Sequence, residues 1–167
     1  MRKALQYLVL MFAVIGILDA SYLTYEHYSD TIPPCSIAAF ADCGKVLKSE
    51  YAMVGPLPVS LLGVAFYSTL TGLLIIRLVT EKDLGLKDMI WNVLEKYVKK
   101  HWYSLESVLF SLQMVMTTMG FLFSVYFVYL QLNVIKAICL YCMLSAFLST
   151  AAFATTLVEW ARVRKAR

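Results

Sequence analysis

The chain has 167 residues, of which 60% are hydrophobic and 16% are charged. Soluble globular domains have about 45–50% apolar and about 25% charged residues, so this composition excludes an ordinary soluble domain and indicates a membrane protein. The net charge of +4 does not indicate nucleic-acid binding, because the basic residues lie at the ends of apolar runs and form no single patch.

Four apolar runs are long enough to cross the ~30 Å hydrocarbon core of a bilayer as helices. They cover residues 5–23, 59–79, 108–130 and 139–158. The first run follows two basic residues, as the apolar region of a signal peptide does, but it is longer than the roughly 7–15 residues of such a region. The pattern therefore predicts an all-α membrane protein, a bundle of four transmembrane helices that forms one domain over residues 1–167.

The loop between the first and second runs carries two of the four cysteines, Cys35 and Cys43. Residues 36–47 can form a short helix with an apolar side, which would lie on the membrane or cap the bundle. The sequence Gly55-Pro56-Leu57-Pro58 then turns the chain into the second run, where a proline fits the first helical turn.

The loop between the second and third runs has apolar residues at helical spacing from Leu86 to Tyr97, flanked by lysines. This pattern predicts an amphipathic helix that lies in the membrane interface. We interpret it as a topology anchor rather than as a regulatory or partner-binding element.

Two polar side chains lie inside the apolar runs, Asp19 in the first and Gln113 in the third. Intramembrane carboxylates are energetically expensive and often functional. Asp19 could relay protons for a reaction within the membrane, or it could be hydrogen-bonded within the bundle, and the second interpretation is the one we expect. Gln113 is predicted to form a hydrogen bond between helices rather than to contact a ligand.

The distribution of lysine and arginine predicts the orientation of the bundle. Twelve of the 15 lie on the side of both termini and the middle loop, and three, Lys45, Lys48 and Lys136, lie on the other side. The positive-inside rule places the first side in the cytoplasm, which predicts a multi-pass protein of the cell membrane with cytoplasmic termini. All four cysteines are then extracytoplasmic, where disulfides form and persist.

The remaining cysteines, Cys139 and Cys142, form a C-x-x-C motif where the fourth run begins. The positive end of a helix dipole stabilises a thiolate, which is the nucleophile in thiol–disulfide exchange. At the membrane boundary one thiol of the pair would reach a lipid-dissolved quinone, and the loop cysteines could pass electrons to the pair by successive exchange. Two permanent disulfides, or a zinc site that includes His27, are the competing interpretations.

Several segments of the chain form a specific combination. They are the C-x7-C loop Cys35–Ser49, the sequence GPLPVSLLG over Gly55–Gly63, the motif Cys139–Cys142 and the run Ser21–Leu23. Together they resemble the vitamin K epoxide reductase family, and the resemblance extends from the first run to the fourth. It implies a four-helix bundle around a quinone, such as ubiquinone or menaquinone, with the loop as its cover.

The resemblance also implies a role for each cysteine. Cys142 would face the quinone, and Cys139 would be its resolving partner and exchange with Cys43. Cys35 would meet a thioredoxin-fold, DsbA-like redox partner, so that the chain oxidises partner thiols and supports disulfide formation. The other residues that we expect to contact the quinone are Ser49, Ser60 and Tyr141; no metal is expected.

The chain departs from the vertebrate enzymes at two positions, Val59 and Ala146, which align with an asparagine and a tyrosine. Neither side chain can donate a hydrogen bond to a quinone carbonyl, so reduction of vitamin K epoxide is an alternative function rather than the expected one. A non-catalytic membrane scaffold with structural disulfides is a further alternative. The sequence has no fused thioredoxin-like domain before it ends at Arg167, so we expect a separate partner.

Overall fold

A computed structural model describes residues 2–29, 35, 42–80 and 102–165 of the chain. The first helix, α1, is followed by a short helix, α2, a 3-10 turn at Glu50–Ala52 and a two-stranded hairpin of β1 and β2. The long helices α3 and α4 come next, and a π-helical turn at Leu130–Ile135 links α4 to α5. The bounds are α1 Arg2–Tyr28, α2 Cys43–Leu47, β1 Met53–Val54, β2 Leu57–Pro58, α3 Val59–Thr80, α4 Trp102–Tyr129 and α5 Leu140–Lys165.

The four long helices are each long and apolar enough to cross a membrane, over Lys3–Tyr28, Val59–Val79, Ser107–Ile135 and Leu140–Lys165. This confirms the predicted all-α bundle with four spans. The first, third and fourth helices continue several residues beyond the predicted apolar runs. Apolar runs mark the hydrocarbon core, whereas backbone hydrogen bonding continues into the polar interface, so sequence hydropathy underestimates helix length.

The centre of the bundle is formed by α1, which packs against α3 and α5, while α4 packs mainly against α5. The core where α1 meets α3 includes Val9, Ala13, Tyr67 and Leu70. A glycine is required at Gly16, because a Cβ atom there would lie 2.6 Å from the ring of Tyr67. Close helix approach through small residues is typical of membrane bundles, where lipid is as apolar as the helix surface.

The segment before α3 has a defined structure at both ends. Asp42 caps α2, because its Oδ1 accepts the backbone N–H of Lys45 at 2.9 Å. The hairpin pairs Met53 with Pro58, and Gly55 in its turn has a φ of 61°, which favours glycine. The predicted turn into α3 is therefore confirmed. Of the helix predicted over 36–47, residues 42–47 are described, and Cys43–Leu47 are helical. The amphipathic helix predicted over 86–97 lies outside the described residues.

A buried polar cluster joins all four long helices near the chain termini, and we call it the arginine cluster. It consists of Gln6, Arg77, Gln113, Thr156 and Glu159, all of which are almost fully buried. Arg77 donates to the Glu159 carboxylate at 2.9 Å and also to the side-chain oxygen of Gln113. The amide nitrogen of Gln113 donates to the Thr156 hydroxyl at 3.1 Å, and Gln6 donates to Glu159 at 3.4 Å. The predicted role of Gln113 as an interhelical hydrogen-bonding residue is confirmed.

Candidate active site

The four cysteines meet at the end of the bundle opposite the arginine cluster. Cys35 and Cys43 form a disulfide with a Cα–Cα distance of 5.9 Å, while Cys139 and Cys142 are free thiols. The Sγ atoms of Cys35, Cys43 and Cys139 all lie within 4.8 Å of one another. The loop disulfide and the first thiol of the C-x-x-C motif are therefore neighbours, as thiol–disulfide exchange requires.

The position of Cys139 is set by Gln131, a buried residue of the π-helical turn. The Gln131 side-chain oxygen accepts the backbone N–H of Cys139 at 2.8 Å, and its backbone oxygen accepts the N–H of Ala137 at 3.1 Å. In the connection from Gln131 to Cys139, Lys136 adopts a left-handed backbone conformation with a φ of 54°. Sequence reasoning missed Gln131, although an amide that ends an apolar run eight residues before a C-x-x-C motif was a usable signal.

The cysteine loop is fixed to the start of α5 by the backbone. The N–H of Asp42 donates to the oxygen of Ile138 at 3.1 Å, and Val46 and Ala137 pack around the cysteines. As a result Cys35 is only 1% exposed and Cys43 is fully buried. The partner-facing role predicted for Cys35 therefore requires the loop to move before a partner thiol can reach the disulfide.

The two thiols of the C-x-x-C motif interact with each other. The pKa of Cys139 is lowered from the usual 9.0, chiefly because the Cys142 side chain hydrogen-bonds to its sulfur. Burial, and the negative charge that Asp19 carries when ionised, act in the opposite direction but are outweighed. Because the thiolate is the nucleophile in exchange and a thiol of low pKa is also the better leaving group, Cys139 is suited to exchange with the loop pair in either direction.

A cavity of about 360 Å³ lies beside Cys142, which is within the usual size range of ligand pockets. All four long helices and the α2 loop line it, and most of the lining side chains are apolar. Ser49 and Ser60, two of the residues expected to contact a quinone, line the cavity together with Cys142. The Ser49 hydroxyl donates to the Val46 oxygen at 2.7 Å, whereas the Ser60 hydroxyl has no partner in the described part of the chain.

The fourth expected contact, Tyr141, is not among the residues that line the cavity. Its ring packs against the ring of Tyr22 with a centroid distance of 5.1 Å. In a helix the residue before Cys142 points about 100° away from it, and here that direction leads to Tyr22 on α1. We assign Tyr141 to the contact between α5 and α1 rather than to a ligand site.

The carboxyl group of Asp19 also lines the cavity, and it is 7% exposed. Neither of its oxygens has a hydrogen-bond partner among the residues that the structure describes. The expectation that Asp19 is hydrogen-bonded within the bundle is therefore wrong. Asp19, Leu23 and His27 all line the cavity because residues four apart share one face of a helix.

The competing interpretations of the cysteines find little support in this arrangement. Cys35, Cys43 and Cys139 converge as a metal site would, but two of the three sulfurs are bonded to each other and are not available as thiolates. Two permanent disulfides are not formed either, because Cys139 and Cys142 are free. One closed pair beside one open pair is the arrangement expected of an exchange relay.

Comparison with known proteins gives two matches. The chain matches the vitamin K epoxide reductase family over residues 7–157. It is also similar to the thiol-disulfide oxidoreductase LTO1 of Arabidopsis thaliana, with 32% identity over 137 residues. That alignment covers 81% of this chain and 31% of the relative, so the chain spans about a third of the length of the curated protein that it matches.

Proposed function

Since the chain belongs to the vitamin K epoxide reductase family, we propose that it is a multi-pass membrane enzyme that transfers electrons from protein thiols to a quinone. One observation carries this proposal. Cys142 lines the cavity, while its hydrogen-bonded neighbour Cys139 lies within 4.8 Å of both sulfurs of the loop disulfide. The C-x-x-C motif thus connects a site for exchange with a site for a small apolar ligand.

Electrons enter through the loop. The dithiol of a thioredoxin-fold partner reduces the Cys35–Cys43 disulfide, and the partner leaves with a disulfide of its own. The thiolate of Cys43 then attacks a Cys139–Cys142 disulfide at Cys139, and Cys35 resolves the mixed disulfide. This exchange restores the loop disulfide and leaves both thiols of the motif reduced, which is the arrangement in the structure.

The cavity fits a quinone in size and in lining. It is mostly apolar, and its polar groups include the Ser60 hydroxyl and the Asp19 carboxyl, neither of which has a partner among the described residues. A quinone bound there would supply a sink for two electrons and two protons. Cys142, Ser49 and Ser60 would hold its ring, and closure of the Cys139–Cys142 disulfide would release the electrons.

Two lining residues favour a membrane quinone over vitamin K epoxide as the electron acceptor. Val59 and Ala146 both line the cavity, and neither side chain offers a hydrogen-bond donor. An acceptor held by two such donors would lose both contacts here. The proposed net reaction is therefore oxidation of partner thiols, which supports disulfide formation in proteins outside the cytoplasm.

The proposed orientation follows from charge. Twelve of 15 lysines and arginines lie on the side of the chain termini, which we assign to the cytoplasm of the cell. The cysteine end of the bundle then faces the oxidising compartment, where a thiol partner meets disulfides that persist.

Thiol trapping in native membranes tests the proposal. The protein is reduced, a membrane quinone is added, and free thiols are counted over time with a maleimide that adds mass. We expect rapid, quinone-dependent loss of thiols that Cys142→Ala abolishes. A Cys35→Ala/Cys43→Ala variant is the matched control, because it retains quinone-dependent closure of Cys139–Cys142 but loses turnover with a partner.

Either of two results would reject the assignment. One is thiol loss that is slow and independent of quinone, which would make the cysteines structural. The other is full quinone-dependent turnover in Cys142→Ala. The alternative function, reduction of vitamin K epoxide, is tested by supplying the epoxide in place of the quinone. We expect that the epoxide is not reduced.

A further inference from the structure

The carboxyl group of Asp19 and the hydroxyl of Ser60 both line the cavity without a hydrogen-bond partner in the described part of the chain, and of the two only the carboxyl group titrates. Asp19 is only 7% exposed, and neither of its carboxyl oxygens has a donor among the described residues. Buried polar groups without partners are rare in proteins, because each costs the free energy of its lost hydration. Such a group is retained where a ligand or a reaction uses it.

The cavity tolerates Asp19 in its neutral form. An isolated carboxylate in apolar surroundings is far more costly than a protonated carboxyl group. An ionised Asp19 would also oppose thiolate formation at Cys139, since its negative charge acts on the pKa of that thiol. A proton on Asp19 and a thiolate at the C-x-x-C motif therefore favour each other.

We propose that Asp19 is the proton carrier of the cavity, a role that rests on the proposed quinone reduction. When the Cys139–Cys142 disulfide forms, the two thiols lose two electrons and two protons. A quinone in the cavity would accept the two electrons and the two protons. The carboxyl of Asp19 releases its proton to an acceptor oxygen and takes up one of the two thiol protons. Its protonation state is the same before and after the reaction, so protons and electrons balance.

The surroundings of Asp19 contain few groups that could replace it. The titratable groups that interact with it are Tyr67 on α3 and the thiols Cys139 and Cys142 at the start of α5. The Tyr67 hydroxyl is already engaged with the backbone oxygen of Ser145 at 2.9 Å. The cavity-lining residues of α4 include no titratable side chain, and His27 lies two helical turns further along α1.

The test compares Asp19→Asn, which keeps the size but cannot carry a proton, with Asp19→Glu, which can. General acid–base catalysis contributes about 10²–10⁴-fold, so we expect Asp19→Asn to lower quinone-dependent closure of Cys139–Cys142 about 100-fold or more. Asp19→Glu should restore part of the rate. Glu26→Gln is the matched control, since Glu26 is a buried acid of the same helix that does not line the cavity.

Two further measurements do not depend on turnover. Infrared difference spectra of the protein without quinone should contain the carbonyl band of a neutral carboxyl group, absent in Asp19→Asn and retained in Glu26→Gln. Reduction of the Cys35–Cys43 disulfide by a small dithiol should proceed at the wild-type rate in Asp19→Asn, because exchange at the loop does not use the cavity.

The outcomes separate the two proposals. A wild-type rate of quinone-dependent closure in Asp19→Asn, or the absence of the carboxyl band, would overturn the role of Asp19 and leave the proposed function standing. If wild-type protein itself shows no quinone-dependent thiol oxidation, both proposals fail. A slow Asp19→Asn variant that also exchanges slowly with the dithiol would indicate a distorted site and would overturn the proton role.

Discussion

The bundle buries ionisable side chains at both ends, and the two ends differ in whether those side chains have hydrogen-bond partners. In the arginine cluster, Arg77 and Glu159 are almost fully buried and are linked to all four long helices by hydrogen bonds. At the cysteine end, Asp19 is buried to a similar degree but has no donor among the described residues. The same sequence feature, an ionisable residue within an apolar helix, is therefore part of a structural network at one end and, in the described part of the chain, lacks a structural partner at the other.

The difference lies in hydrogen-bond satisfaction rather than in burial. A connected polar network fixes which helix faces meet, since any other packing would leave its members without partners. A single carboxyl group without a partner does not determine which helix faces meet. The free energy that its burial costs is offset only if a ligand or a reaction uses the group. Mutations at the two ends should consequently change stability in opposite directions.

The largest effect is expected at the arginine cluster. Glu159→Leu leaves the buried Arg77 cation without its carboxylate, and removal of one partner of a buried ion pair costs about 3–5 kcal/mol. The free energy of unfolding, measured by denaturant titration in detergent micelles, should fall by this amount.

Two controls accompany this variant. The double variant Arg77→Met/Glu159→Leu removes both charges and should recover most of the loss, because apolar pairs often replace buried ion pairs without penalty. Glu50→Gln changes an exposed carboxylate and should have little effect. A loss below about 1 kcal/mol in Glu159→Leu would mean that the pair behaves like a surface salt bridge.

The next largest effect has the opposite sign and is expected at Asp19. Asp19→Leu removes a buried polar group that has no partner in the described part of the chain, so the free energy of unfolding should rise by about 1–3 kcal/mol. The same titration measures it, and Glu26→Gln serves again as the control on α1. A decrease of similar size would show that the carboxyl group has a structural partner, which would remove the contrast between the two ends.

A smaller effect is expected where the cysteine end is held in place. Gln131→Met removes the acceptor of the Cys139 N–H, which should cost about 1 kcal/mol of stability. Displacement of Cys139 should slow its exchange with the loop disulfide about tenfold or more, since small errors in the position of reacting groups are costly. The rate of dithiol-driven equilibration between the two pairs measures this effect.

Gln131→Glu is the matched variant, because it retains an oxygen acceptor at the same position. It should exchange faster than Gln131→Met. Equal rates in the two variants would indicate that the bond from Cys139 to Gln131 does not position the thiol.

Sequence reasoning recovered the parts of this protein that depend on local patterns. The four spans, the turn at Gly55 and the interhelical role of Gln113 follow from hydropathy, backbone preference and polarity within an apolar run. The spacing of the cysteines and the family resemblance also indicated that Cys139 and the loop pair belong together.

The parts that depend on packing were not recoverable. Whether Asp19 has a donor depends on side chains from other helices, and the choice between the two interpretations was wrong for this reason. Tyr141 was expected at the cavity because of its place in the motif, but the rotation of α5 turns it toward Tyr22. The polarity of Gln131 at the end of an apolar run was visible in the sequence, but its bond to the Cys139 N–H depends on the π-helical turn that brings the two residues together.

The finest effect concerns the protonation of Cys139, and it follows from the hydrogen bond within the C-x-x-C motif. Because Cys142 lowers the pKa of Cys139, more of the thiol is ionised at neutral pH, and its reactivity is lost only when the pH falls below the lowered pKa. Cys142→Ala removes the donor, so the pH midpoint for alkylation of Cys139 should move upward, toward the ordinary value. Alkylation by a small uncharged reagent, quantified on the Cys139 peptide in a Cys35→Ser/Cys43→Ser background, measures the midpoint.

Asp19→Asn provides the comparison for this titration. It removes a charge that raises the pKa of Cys139 when ionised, so it can move the midpoint downward or leave it unchanged, but not upward. An unchanged midpoint would mean that Asp19 is already neutral in this pH range, as a proton carrier in an apolar cavity requires. A clear downward shift would mean that Asp19 is ionised in this pH range. The cysteine end would then hold a buried charge without a partner among the described residues, whereas the buried charges of the arginine cluster are paired with each other.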